Sequence, residues 1–347
     1  MKDRLPPRMK KRTRTGKKGQ VWVYYFYAST INGKTTEIPL GSDLTQAKLK
    51  WAELEGGDVP KDIRLFGAAL DRYEKEIIPT KAPRTQKDNL SYASWLRKVF
   101  EQVAIDDLTP QMIAQYRDLR GKKAPVRANR EISLLSHVFN MAREWGYTAK
   151  ENPVKGVRKN KETPREFYAD DAVWFAVYEC ACQELKDALD LAYLTGQRPA
   201  DVMKMKFNDI RDGALEIKQN KTAKKLRILL AGDHGLNALG QLIDRIKSRP
   251  TKIKSFSIVH NADGYPLSPA MLRGRFDKAR KQAALYALSE GNAELALRIK
   301  EFQFRDARPK AASEIDLESA SKLLGHSDKS ITERVYRRIG ETVKPVK

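Results

Sequence analysis

Apolar positions change their spacing along the chain, and each change marks a new element. Val21 to Ser29 is β-branched and aromatic, Asn32-Gly33 is the dipeptide that a two-residue hairpin turn needs, and Thr35 to Leu40 can return as the second strand. Leu44, Ala47, Trp51 and Leu54 then fall at helical spacing, so one amphipathic helix can cover the sheet. Gly56, Gly57 and Pro60 break that pattern. A helical stretch follows: Leu65, Ala69, Leu70, Tyr73 and Ile77 share one face, and Leu90, Ala93, Leu96 and Phe100 share another. Thr109-Pro110 reads as an N-cap with proline at the first helical position, opening a helix with Ile113 and Tyr116. A fourth helix turns Ile132, Leu135, Val138, Phe139, Ala142 and Trp145 inward and leaves Arg127, Arg130 and Arg143 on other faces. Asn152-Pro153 ends this bundle. Beyond it the pattern predicts helices at about 170–195 and 199–206, short strands near 214–219 and 226–230, and helices to the end. The expected architecture is multidomain and mainly α, with a small N-terminal sheet-plus-helix module at 1–60, a helical domain and linker at 61–160, and an α+β domain at 161–347.

Charge decides what such a protein meets. Lys and Arg number 66 against 44 acidic residues, a formal net charge of +22, and an excess of that size disfavours compactness unless a polyanion is the partner. Residues 1–20 hold Arg12, Arg14 and Lys17 among nine basic residues and one acid, which reads as a flexible arm lying along phosphates. Lys155, Arg158, Lys159 and Lys161 make a basic linker. The basic head has no large apolar face for a membrane surface, and no apolar run is long enough to span a bilayer. Cys180 and Cys182 lie two apart in a stretch that reads as helix, where they do not face each other. Without a signal peptide or a cysteine framework, a cytoplasmic site is expected. His137, His234, His260 and His326 are scattered, so the chemistry is expected to need no metal and no cofactor.

Four windows in the second half put basic residues beside turn or cap signals. In Thr195-Gly196-Gln197-Arg198-Pro199-Ala200-Asp201 a glycine permits a tight turn and Pro199 opens a helix, placing Arg198 where anions bind. In Gln219-Asn220-Lys221-Thr222, Lys221 projects from a hairpin tip. In Phe304-Arg305-Asp306-Ala307-Arg308 two arginines three apart fall on one helical face and can bracket a phosphate. Leu323-Leu324-Gly325-His326-Ser327 is followed, ten residues after the histidine, by Tyr336. Singly, each has a plainer reading: a solubilising lysine, surface ion pairs to Asp306, Glu314 or Asp316, a packed aromatic.

In this order the set resembles the tyrosine recombinases, specifically the integrases of temperate phages, along nearly the whole chain. Ala128-Asn129-Arg130-Glu131 through Trp145-Gly146-Tyr147 and Asn152-Pro153 is similar to that family's core-DNA-binding domain, and residues 20–55 to its arm-site module. The resemblance implies a 161–347 catalytic domain in which Tyr336 is the nucleophile, Arg198 and Arg308 clamp the phosphate, Lys221 is the general acid and His326 hydrogen-bonds the phosphate. Arg305 stands where the family usually has histidine, and the interval from His326 to Tyr336 is one residue longer than usual. Arg305 can donate a hydrogen bond but cannot act as a base near neutral pH. Asp201 and Asp209 read as structural, orienting the arginine helix.

The implied reaction is site-specific recombination for integration and excision through a 3′-phosphotyrosyl intermediate, without metal or ATP. The implied partners are double-stranded DNA at core and arm sites, contacted by Arg12, Arg14, Lys17, Arg127, Arg130 and Lys159, and three further copies in a tetramer. An excisionase and a DNA-bending host protein are optional partners, and the last residues, Glu341 to Lys347, would pack on a neighbouring subunit. Two alternatives stay open: a dimer-resolving recombinase or type IB topoisomerase with the same site, and a non-catalytic DNA-binding regulator. The arm-like module argues against the first, because neither enzyme needs a second DNA site.

Overall fold

A computed structural model describes residues 5–16, 20–31, 34–55 and 64–340. The chain divides into two compact units, 1–163 and 164–347.

The first unit opens with a three-stranded antiparallel sheet, β1 (Met9–Thr15), β2 (Val21–Ile31) and β3 (Lys34–Gly41), in the order β1-β2-β3. The expected flexible arm is thus corrected, because residues 9–15 form its first strand. Alternation resolves the conflict between charge and packing: Met9 is buried with Tyr25, Tyr27, Leu40 and Ala47, while Lys10, Arg12 and Arg14 pair with Phe26, Tyr24 and Trp22 on the opposite face. Helix α1 (Leu44–Leu54), capped by Asp43 on the Gln46 N–H, covers the buried face. Lys17, Asn32-Gly33 and the breakers Gly56, Gly57 and Pro60 lie outside the described residues.

Four helices follow, α2 (Phe66–Glu76), α3 (Pro83–Phe100), α4 (Pro110–Gly121) and α5 (Pro125–Glu144). The Thr109 side chain accepts from Met112 N–H at the start of α4, as the Thr-Pro signal predicts. Their apolar stripes meet in one core that includes Phe66, Tyr73, Phe100, Ile113, Leu135 and Phe139. Glu131 is fully buried there, yet paired: Arg120 binds both its oxygens at 3.0 and 3.1 Å and Tyr116 donates to it at 2.8 Å. The basic linker is not loose. Asn129 of α5 donates to Asn160 O and accepts from Asn160 N–H, and Arg130 pairs with Glu162 at 3.0 Å.

In the second unit α6 (Asp171–Glu179) and α7 (Gln183–Thr195) replace the single helix expected at 170–195. Cys180 ends the first and Cys182 caps the second, so the cysteines lie at a break. After α8 (Pro199–Val202), shorter than its pattern suggested, comes an antiparallel sheet of β4 (Ile210–Arg211), β5 (Ala214–Lys218) and β6 (Lys225–Leu229). Helices α9 (Ala238–Lys247), α10 (Pro269–Ser289) and α11 (Ala293–Glu301) pack around α6 and α7, with Phe302, Trp174 and Phe276 in ring contact at their centre. Helix α12 (Ala307–Ser313), buried along its whole length, leads to α13 (Leu317–Leu324), α14 (Lys329–Ile331) and a π-turn, Thr332–Tyr336. No helix among the described residues is long and apolar enough to cross a membrane.

Candidate active site

Two helices end back to back, and the site is built on their ends. Helix α7 stops at Gly196 and α13 stops at Gly325, both in the left-handed region (φ 62° and 69°) that glycine adopts without strain. A Cβ at Gly196 would meet Leu324 and Leu323 at 3.0–3.2 Å, so the Thr-Gly-x-Arg and Leu-Gly-His turns touch. Two glutamines stitch these turns to the hairpin. Gln197 donates to Leu323 O at 2.9 Å, while buried Gln219 donates to Gln197 Oε1 at 2.8 Å and to Leu324 O at 2.9 Å. Three windows scattered over 130 residues therefore converge by side-chain amides that periodicity could not reveal.

Arg308 projects from α12 into this junction. Only 3 % exposed, it has no carboxylate ion pair among the described residues. It donates to Gly196 O and to Leu324 O at 2.9 Å, and its Nη2 lies 3.2 Å from His326 Nε2. Those carbonyls belong to helix C-termini, whose partial negative charge stabilises a cation by up to about 2 kcal/mol in partly buried geometry. Burial and the neighbouring Arg198 nevertheless pull the Arg308 guanidinium down to about 10. Its Nε is buried without a hydrogen-bond partner among the described residues. Arg198 is the N-cap of α8 and reaches Gln219 Oε1 at 3.5 Å. The two guanidiniums form a cationic pocket in which neither has a carboxylate salt bridge among the described residues.

Tyr336 occupies that pocket. The Arg308 guanidinium carbon lies 5.0 Å from its ring centroid, and the His326 ring is 4.9 Å away at 39°. Burial raises the phenol's pKa, but the charges and hydrogen bonds of Arg308 and Arg198 outweigh it, so the group sits below its ordinary value of 10. His326 moves the other way for a base: burial, Arg308 and Arg198 lower it to about 4, leaving a neutral ring near pH 7. Its Nδ1 is hydrogen-bonded to Thr332 Oγ1 at 2.7 Å. The extra residue between His326 and Tyr336 is absorbed by the π-turn, in which Arg337 N–H bonds Thr332 O, five residues back, at 2.9 Å. Tyr336 reaches the pocket despite the longer interval.

Two expectations fare differently. Arg305 differs from Arg308 in its exposure. It is exposed on a 3-10 turn (Phe304–Asp306), whereas Arg308 is buried one turn later on α12. Between them Asp306 turns inward to Arg165 and Arg338. The anticipated ion pairing of Arg305 and Arg308 with Asp306, Glu314 or Asp316 is also absent among the described residues. Lys221 does stand in the loop between β5 and β6, exposed, without a hydrogen bond or ion pair among the described residues. The loop base beside it is pinned, since Asn220 N–H donates to Asp201 Oδ1 at 2.8 Å and Lys204 Nζ to Asn220 Oδ1 at 2.7 Å. Asp209 caps its own turn on Lys206 N–H. Sequence reasoning missed Gln197, Gln219, Thr332, Ser313 and Arg338. Only Gln219, a polar residue at the end of a buried strand, carried a signal.

Comparison with known proteins places these observations. The model of the Phage integrase family matches residues 170–342, and that of the phage integrase N-terminal domain matches 81–161. The integrase of Escherichia phage HK022 is 31% identical over 336 residues, covering 90% of each chain. Among solved structures, a lambda integrase dimer bound to a COC' core site superposes with a TM-score of 0.68 at 24% identity, covering 100% of this chain and 99% of that one. A lambda integrase tetramer bound to a Holliday junction gives 0.67 at the same identity and coverage. Likeness of that extent, running through both turns that hold Arg308, makes this chain a member of the phage integrase family, a site-specific tyrosine recombinase.

Proposed function

We propose that Tyr336 is the nucleophile with which this recombinase cuts DNA, and the observation that carries the reading is its hydroxyl lying in the joint field of Arg198 and Arg308. Attack by the phenol oxygen forms a bond to the phosphorus and breaks the bond to the 5′ oxygen, leaving a 3′-phosphotyrosyl ester and a free 5′ hydroxyl. The phenol proton leaves on attack, and the cationic pocket lowers the cost of the phenolate. Negative charge building on the non-bridging oxygens meets Arg198 and Arg308, which stay protonated at neutral pH. Neutral His326 donates from Nε2 to the phosphate once Thr332 holds Nδ1 as acceptor. Lys221 delivers a proton to the departing 5′ oxygen. Its exposed position beside an anchored loop base supports a group that meets DNA only when the loop folds over it. Arg305, exposed near the same site, contacts the backbone from outside. The ester conserves the bond energy, so the reverse attack by a 5′ hydroxyl rejoins strands without ATP.

The remaining parts fit integration and excision. The exposed face of the first sheet alternates Arg12 and Arg14 with Tyr24 and Trp22, a surface that suits phosphates and groove walls at an arm site. Residues 61–160 and 161–347 are the core-binding and catalytic domains, with Arg127, Arg130 and Lys159 among the backbone contacts. Arg127 and Arg130 retain about half their exposure despite their partners Glu131 and Glu162. The lambda integrase tetramer bound to a Holliday junction supports a tetramer on two DNA partners. The same reading gives the bacterial cytoplasm at the nucleoid as the place of work, with an excisionase and a DNA-bending protein as accessories. The tail, Glu341 to Lys347, lies outside the described residues; its removal should uncouple cleavage from assembly. The test is a suicide DNA substrate nicked near the core site, incubated in EDTA with wild type and with Tyr336→Phe. A covalent band with wild type alone supports the reading. No adduct on a DNA that the protein binds overturns it.

A further inference from the structure

The segment carrying Tyr336 packs that ring against Ala312, Ala320 and Leu324 while much of the rest of it faces solvent. Glu333, Arg334 and Val335 are exposed, and Arg337 leaves the π-turn in an extended conformation. On its near side the anchor is Thr332, fully buried and bonded to His326. On its far side the anchor comes from α12 and Asp306. Ser313 Oγ donates to Tyr336 O at 3.2 Å and accepts from Arg338 N–H at 2.9 Å, clasping the backbone on both sides of Arg337. The Arg338 side chain, 11 % exposed, runs inward to Phe167 O and to Asp306 Oδ1 at 3.3 Å. Asp306 is itself 1 % exposed, and Arg165 holds both its oxygens at 3.0 and 2.7 Å.

Resting on the reading of Tyr336 as nucleophile, we propose that Arg338 is its positioning residue, tied to Asp306 and clasped by Ser313 so that the phenol stays between Arg198 and Arg308. The arrangement uses the Arg-Asp-x-Arg window twice. Arg308 faces the reacting phosphate, and Asp306 faces away from it to fix the chain that delivers the nucleophile. A short exposed turn lacking such a tether opens at little cost, and a misplacement of an ångström in a reacting group costs on the order of a hundredfold in rate. Removing Arg338 leaves Asp306 still paired with Arg165, so the buried carboxylate stays compensated and the fold is kept.

The experiment compares full-length wild type, Arg338→Gln, Ser313→Ala and Tyr336→Phe on the nicked substrate at saturating DNA, with DNA affinity measured alongside. Tyr336 ionisation is read as the phenolate absorbance that each background loses on adding Tyr336→Phe. Expected for Arg338→Gln is cleavage about tenfold or more slower with affinity within about twofold, and a Tyr336 phenol that titrates nearer the ordinary value of about 10. Ser313→Ala should move both readouts the same way, and it decides the matter if Arg338→Gln does not fold. Wild-type rate and wild-type titration in the folded variants overturn the inference while leaving the nucleophile in place. An adduct that persists in Tyr336→Phe overturns the nucleophile assignment, and this inference with it.

Discussion

Arg308 lies over the ring of Tyr336, 5.0 Å from its centroid, and is held there by the backbone carbonyls of Gly196 and Leu324 instead of a carboxylate. A carboxylate would cancel the charge that the reaction needs. The carbonyls orient the guanidinium and leave its charge available to an anion. Arg308→Lys should therefore bind DNA and fail in chemistry, because an ammonium cannot reproduce the planar fork that spans both carbonyls and His326. Single-turnover cleavage should fall by about a hundredfold to a thousandfold. Cleavage within a few fold of wild type would remove Arg308 from the phosphate clamp.

Lys221 can be isolated by changing the leaving group. Lys221→Ala should slow cleavage of an ordinary phosphodiester by about a hundredfold or more. A substrate with sulfur at the 5′ bridging position expels a thiolate, whose conjugate acid has a pKa near 8.5 and needs no donated proton. On that substrate the variant should cleave at close to the wild-type rate. An equal loss on both substrates would assign Lys221 to DNA binding.

His326 gives the folded protein an acid sensitivity. The ring stays neutral down to about pH 4 in the folded state, whereas the unfolded chain takes up the proton near 6.5. Between those values the unfolded state binds more protons, so this group makes stability fall as pH drops from about 6.5 toward 4 and contributes no slope above that range. Denaturant midpoints across the window should fall less steeply in His326→Asn than in wild type. Parallel slopes would mean the ring is protonated in the folded protein.

The π-turn predicts an asymmetry between deletion and insertion. Deleting exposed Glu333 should return the turn to α-helical spacing and keep adduct formation within about tenfold, since a π-turn is one residue more than an α-turn. Adding one alanine after Glu333 should abolish the adduct, because the turn already holds its extra residue. Loss in both variants would show that Tyr336 depends on the identity of the segment instead of its length.

Much of this was legible before any coordinates. Period and cap signals placed α1 to α5 on the right stretches of the chain, and the ordered windows around Arg198, Lys221, Arg308, His326 and Tyr336 led to the family that comparison supports. What escaped was of one physical kind. β1 looked like a loose arm because its charges were counted and its alternation was not, and strand pairing supplied the missing term. The burial of Arg308 and the exposure of Arg305 follow from packing around α12 that the Arg-x-x-Arg spacing does not show. The glutamine stitches, the Ser313 clasp and the Asp306 tether join residues far apart in sequence, and such contacts leave no periodic trace.

The π-turn also changes what a motif is. The distance that matters runs from the His326 ring to the Tyr336 ring, 4.9 Å, and the chain between them can gain a residue by widening one turn. Count along the sequence and separation in space are thereby uncoupled at this point, so what the fold sets here is a length in ångströms and not a number of residues.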